Sequence, residues 1–169
     1  MNPAAPLTPE GRRHVLGLEG TMFTELVHDP ALFNYLLMPR LLAMAERAWS
    51  PDPEWTREPD AARAAALHRA DWARFAAQLG LRVLPRLDAE RSGLGYRIPP
   101  PGLRASAAGV EVNSLLPGFT LRYSVGGAPP DARSPVVDGP IVAHGLIQVA
   151  AYARDGRAGP ASAIDTTNR

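Results

Sequence analysis

Phe23 and Glu25 are the residues of this sequence best suited to touch a ligand. They close the segment Gly17-Leu18-Glu19-Gly20-Thr21-Met22-Phe23-Thr24-Glu25, where an apolar start and two glycines lead into an aromatic ring and a carboxylate two residues apart. A carboxylate accepts charge-assisted hydrogen bonds, and an aromatic face covers apolar C–H surface. Taken alone, these nine residues read more readily as structure, with Phe23 in a core and Glu25 a solvated acid ahead of a helix. Other reactive groups are dispersed. His14, His28, His68 and His144 form no pair at ligand spacing, so neither a metal nor another cofactor is expected. The chain has no cysteine, which excludes disulfides, thiolate zinc sites and cysteine nucleophiles. Gly118 and Gly126-Gly127 precede no helical pattern and belong to turns rather than to a phosphate cradle. Combinations of Ser, His and Asp lack the strand–turn–helix setting of a nucleophile.

The elements around Phe23 and Glu25 follow from periodicity. Val15-Leu16-Gly17-Leu18 is short, apolar and bounded by Arg12-Arg13 and Gly20, which predicts a strand over Val15–Glu19, buried on both faces. Asp29-Pro30 reads as an N-cap and first helical residue, with Leu32, Phe33, Leu36 and Leu37 at helical spacing. Pro39 must interrupt that helix, and a second one carries Leu41, Leu42, Ala45 and Ala48 to about Trp49. From Asp60 a third helix aligns His68, Trp72, Phe75 and Leu79, with Gly80 at the position after its end. The texture changes at Pro99-Pro100-Pro101-Gly102. Beyond it Phe119, Leu121, Tyr123 and Val125 alternate with polar residues, and Ile147, Val149, Ala151 and Ala153 repeat the pattern. Val110-Glu111-Val112 and the stretch from Ala161 to Ile164 add short strands, enough for a small immunoglobulin-like sandwich whose core is marginal without disulfides.

Composition bounds the functional classes. The 169 residues are 46% hydrophobic and 21% charged, which suits one ordinary domain or two small ones. All 18 basic residues are arginines scattered from Arg12 to Arg169, and the formal charge is +1, so no nucleic-acid footprint is present. No apolar run reaches the ~20 residues of a membrane span, and the polar N-terminus does not read as an export signal.

Longer motifs carry a resemblance. Pro39-Arg40-Leu41-Leu42-Ala43-Met44-Ala45-Glu46-Arg47-Ala48-Trp49 is followed in order by Trp72, Phe75, Leu79-Gly80, Leu84-Pro85-Arg86-Leu87-Asp88 and Tyr96-Arg97-Ile98-Pro99. With the Gly17–Glu25 segment, these resemble the C-terminal portion of bacterial β-N-acetylhexosaminidases (chitobiases) of glycoside hydrolase family 20. The resemblance implies an α+β chain: residues 1–98 as the last β/α unit of a TIM barrel plus an extra helix, and residues 99–169 as an immunoglobulin-like antiparallel β-sandwich. It implies that Glu25 accepts hydrogen bonds from the 4- and 6-hydroxyls of N-acetylglucosamine and that Phe23 takes the place of the family's tryptophan under the sugar ring. Phenylalanine there removes the indole N–H and some stacking area. Arg40, Glu46 and Arg47 would form ion pairs that fix their helix on the barrel.

Family-20 enzymes use substrate assistance, in which an Asp orients the substrate's acetamido group and the next residue, a Glu, protonates the leaving oxygen. This chain contains no Asp-Glu dipeptide, so it holds no catalytic residue of that kind. The expected parent enzyme removes terminal N-acetylhexosamine from chitin-type oligosaccharides or glycoconjugates and is periplasmic or secreted. Its barrel face, left uncovered in this chain, offers a surface for self-association. Two other readings stay open at this stage: a carbohydrate-binding module using Phe119, Tyr123 and Tyr152, and a purely structural domain.

Overall fold

A computed structural model of the chain describes residues 8–90 and 94–167. They form five α-helices followed by five antiparallel β-strands, in two compact units that meet in sequence at Pro51 and Asp52.

In the first unit, helix α1 (Pro9–Arg13) begins at Thr8, whose hydroxyl caps the Gly11 N–H. Helix α2 (Pro30–Leu37) begins as its sequence predicts: the Asp29 carboxylate accepts from Leu32 N at 2.9 Å and Pro30 fills the first helical position. Met38 is extended, the conformation that a following proline favours, and the chain restarts as α3 (Arg40–Trp49). The strand predicted over Val15–Glu19 is not formed. Residues 15–24 carry no regular structure, and Val15, Leu16 and Leu18 are exposed. A parallel strand exists only through ladder partners on its neighbours, and none of the described residues pairs with this segment. Among its described residues Met38 is the one buried hydrophobic side chain of the first unit, so they hold almost no core.

In the second unit, helix α4 (Ala61–Gln78) is capped by Asp60, which accepts from Arg63 N at 2.7 Å. It does not stop at Gly80 as predicted. The backbone passes through a π turn (Leu79–Val83) directly into α5 (Leu84–Ala89). Gly80 is there for close approach rather than for a left-handed cap: a Cβ on it would collide with the Pro117 carbonyl, while Gly118, at φ +96°, lies against the Gly80 carbonyl in return. Leu79, Leu84 and Leu116 are buried in the same unit.

The strands form two sheets. β1 (Gly102–Ser106) pairs with β2 (Gly109–Asn113) as a hairpin, and β3 (Thr120–Val125), β4 (Leu146–Tyr152) and β5 (Ser162–Asp165) follow in that order. Leu121 faces Ala151, Tyr123 faces Val149, and Ile147 faces Ile164. One core serves both sheets, since Val110, Ile141, Ile147 and Val149 are buried together with Leu103, Leu121 and Ile164 packed around them. The long connection after Gly126-Gly127, both at positive φ, is part of the architecture. Val137 N donates to Leu121 O on the outer edge of β3, and Ile141 exchanges two 2.9 Å backbone bonds with Val110 on β2. That connection blunts two strand edges and contributes Ile141 to the core.

Candidate functional site

Phe23 and Glu25 lie on the irregular segment between α1 and α2. Its root rests on α3, where a Cβ on Gly20 would come within 2.6 Å of the Met44 sulfur. Val27 N then donates to Thr24 O at 2.9 Å, which turns the chain at Glu25 and Leu26 toward the Asp29 cap of α2. The two motifs singled out by sequence, Gly17–Glu25 and Pro39–Trp49, therefore touch within one unit. Phe23 is 80% exposed and Glu25 is also exposed. Among the described residues of the first unit Met38 is the only buried hydrophobic, and the Phe23 ring lies outside any core there. An exposed ring and carboxylate two residues apart can receive a ligand's C–H face and its hydroxyls. They cannot by themselves cleave a glycosidic bond, which needs a proton donor and a second group to stabilise the anomeric carbon.

The ion pairs expected of Arg40, Glu46 and Arg47 are absent among the described residues. Arg40 Nη1 donates to Leu36 O at 3.3 Å, and Glu46 accepts the Ser50 hydroxyl at 2.9 Å, closing the C-terminal end of α3. No group of three or more His, Asp or Glu that could hold a metal occurs among the described residues.

The aromatic candidates of the β strands are used for packing. Tyr152 is buried and its hydroxyl donates to Pro130 O at 2.5 Å, and Tyr123 packs on the core. Phe119 is half-buried, which leaves no exposed platform of the three for a saccharide.

Sequence reading missed one cluster. Asp88 on α5 accepts the Tyr96 hydroxyl at Oδ2 (2.8 Å) and Arg157 Nη2 at Oδ1 (2.5 Å). Arg157 also donates through Nε to Asp155 at 2.6 Å, and its guanidinium carbon sits 4.6 Å from the centre of the Tyr96 ring. Tyr96 is 4% exposed; burial, and then the hydrogen bond and charge of Asp88, push its hydroxyl up to about 12, with Arg157 opposing. Asp88 and Tyr96 both fall in motifs read from the sequence, but nothing in their spacing pointed to Arg157, 69 residues beyond Asp88.

Comparison with known proteins matches two stretches of the chain. Residues 2–52 match the family described as glycosyl hydrolase family 20, catalytic domain, and residues 83–161 match the chitobiase/beta-hexosaminidase C-terminal domain. The chain is similar to the C-terminal portion of family-20 β-N-acetylhexosaminidases. Among curated relatives, N,N'-diacetylchitobiase of Vibrio harveyi is 34% identical over 120 residues, 66% of this chain and 13% of the relative. Beta-hexosaminidase of Vibrio vulnificus is 29% identical over 136 residues, covering 71% of this chain and 16% of that protein. Beta-hexosaminidase B of Pseudoalteromonas piscicida is 40% identical over 76 residues, or 38% of the chain and 10% of the relative. The chain thus spans roughly a sixth or less of the length of these relatives. Phe23, Glu25 and the Pro39–Trp49 helix fall in the family-20 catalytic match, and Asp88, Tyr96 and the strands up to residue 161 in the other, while Trp72, Phe75 and Leu79-Gly80 lie between the two matched stretches. Among the described residues no helix is long and apolar enough to cross a membrane.

Proposed function

We propose that this chain supplies the closing segment of a family-20 hexosaminidase that removes terminal N-acetylhexosamine from chitin-type oligosaccharides or glycoconjugates by substrate-assisted, retaining hydrolysis. The observation that carries the reading is the succession of two family matches in one chain, catalytic domain then C-terminal domain, with Glu25 inside the first. Residues 1–98 then correspond to the last β/α unit of a TIM barrel plus its extra helix, and residues 99–169 to an immunoglobulin-like sandwich. In support, every helix of the described residues ends by Ala89 and every strand begins after Pro101. Val15–Glu19 would take up its strand conformation beside neighbouring barrel strands, which alone can satisfy its backbone.

In that setting Glu25 accepts hydrogen bonds from the 4- and 6-hydroxyls of the terminal sugar, and Phe23 covers the apolar face of the ring. A barrel places groups just past a strand's C-terminal end in its site, which is where both residues would stand. The Asp that orients the acetamido group and the Glu that protonates the leaving oxygen come from elsewhere, since this chain has no Asp-Glu pair. The chain therefore binds and shapes; the bond-breaking groups are not among its residues. Val15, Leu16, Leu18 and Leu26, exposed here, are the side chains such a barrel would cover, and without it they offer a surface for self-association. By the same likeness the parent works in the periplasm or outside the cell. The test is to join this chain to a family-20 barrel that carries the Asp-Glu pair and to compare hydrolysis of an N-acetylglucosaminide with and without Glu25. Turnover that is indifferent to Glu25 would remove the site assignment.

A further inference from the structure

Three segments meet at Arg157, two of them close in sequence and the third 69 residues beyond Asp88. Helix α5 presents Asp88, the connection to β1 presents Tyr96, and the turn between β4 and β5 presents Asp155 and Arg157 itself. That turn is shaped locally: Gly156 sits at φ +88°, Ala153 N donates to Arg157 O at 2.9 Å, and Asp155 accepts the Arg157 backbone N–H at 3.0 Å. The guanidinium is thus aimed before it meets its partners. It then uses different nitrogens for two carboxylates, Nη2 for Asp88 and Nε for Asp155, while its plane lies near the Tyr96 ring. Only a planar fork with several donors can do all three at once.

The other ion pairs described are local. Arg74–Asp71 and Arg86–Glu90 lie one turn apart on helices, and Arg104–Glu111 faces across a single hairpin, with arginine side chains 76–79% exposed. In the Arg157–Asp88 pair the side chains are 40% and 16% exposed, so water and salt screen it less. We infer that Arg157 is a latch. It holds the β4–β5 turn to helix α5, so that the helical and strand parts of the second unit open together rather than one after the other. In a chain without disulfides this closes the same loop, from residue 88 to residue 157, that a covalent bridge would close.

Amide hydrogen exchange of the whole chain, followed by mass spectrometry in residues 84–89 and 153–158, tests this directly. Asp88→Asn and Arg157→Lys should each speed exchange in both segments by about tenfold or more, because a charge-assisted contact shared by the two is lost. Lysine keeps the charge but lacks the planar guanidinium whose Nε and Nη2 reach the two carboxylates while its plane lies over the Tyr96 ring. The double substitution should be no faster than the faster single one. Acceleration confined to the substituted segment, logarithmic effects that simply add, or no change at all would overturn the latch. If Asp88→Asn does not fold, Arg157→Lys decides alone: faster exchange in α5, which then carries no substitution, supports the latch, and unchanged exchange there refutes it.

Discussion

The Tyr96 hydroxyl donates to Asp88 Oδ2 across 2.8 Å, joining two sequence motifs, Leu84–Asp88 and Tyr96–Pro99, that are separated by a short connection. The bond is buried on the tyrosine side, which is why the phenol resists ionisation and is held up to about 12 instead of its ordinary 10.0. The folded state therefore keeps a proton that the unfolded chain gives up at lower pH. The stabilisation is fully present below pH 10 and is lost as pH rises from 10 toward 12. A near-ultraviolet titration should show a phenol that ionises only near pH 12, and Tyr96→Phe should abolish that late step. The same substitution should lower stability in urea by about 1.5 kcal/mol, the low end for a hydrogen bond to a charged group, because Arg157 still neutralises Asp88. A normal phenol titration in the intact protein would contradict the buried bond.

Gly80→Ala should destabilise the second unit by about 1–3 kcal/mol. Its methyl group meets the Pro117 backbone carbonyl, which belongs to a segment already fixed by Gly118 at φ +96° and cannot rotate away as a side chain could. Gly95→Ala, with nothing within 4 Å, should be nearly neutral when both variants are compared by thermal melting. Equal effects at both positions would remove the close-approach explanation.

Much of this was legible in the residues themselves. The Asp29-Pro30 start, the Pro39 interruption and the alternation around Leu121 and Ile147 are local signals, and the chain obeys them. Misreadings came where a partner outside the segment decides. Val15–Glu19 has the composition of a buried strand but no ladder to join, and Gly80 was read as a stop signal because Pro117, which needs its missing side chain, lies far along the sequence. The stretch from Pro135 to Ile141, which carries no alternating pattern, edges β3 and β2 only because partners elsewhere in the fold accept it. Glu25 was legible only through motif likeness, since nothing in the nine residues around it names a sugar.

The apolar side chains of the segment from Val15 to Leu26 are exposed, so the isolated chain should self-associate as its concentration rises. Sedimentation velocity should show a shift to larger species that Leu16→Asp together with Leu26→Asp reduces, without change in the circular dichroism of the strands. A single monomer boundary for the unsubstituted chain at all concentrations would contradict the uncovered-face reading.

The most direct measurement is kcat/KM for a chromogenic N-acetylglucosaminide, taken for this chain alone, for the chain joined to a family-20 barrel bearing the Asp-Glu pair, and for the joined enzyme with Glu25→Gln. The chain alone should show no turnover. In the joined enzyme, Glu25→Gln should cost roughly tenfold to a few hundredfold at unchanged melting temperature, since charged acceptors contribute about 1.5–3 kcal/mol. A substrate lacking the 4-hydroxyl should lose less further activity in the substituted enzyme than in the original. Turnover by the isolated chain that Glu25→Ala abolishes, or a joined enzyme whose kcat/KM ignores Glu25→Gln, would contradict the proposed function.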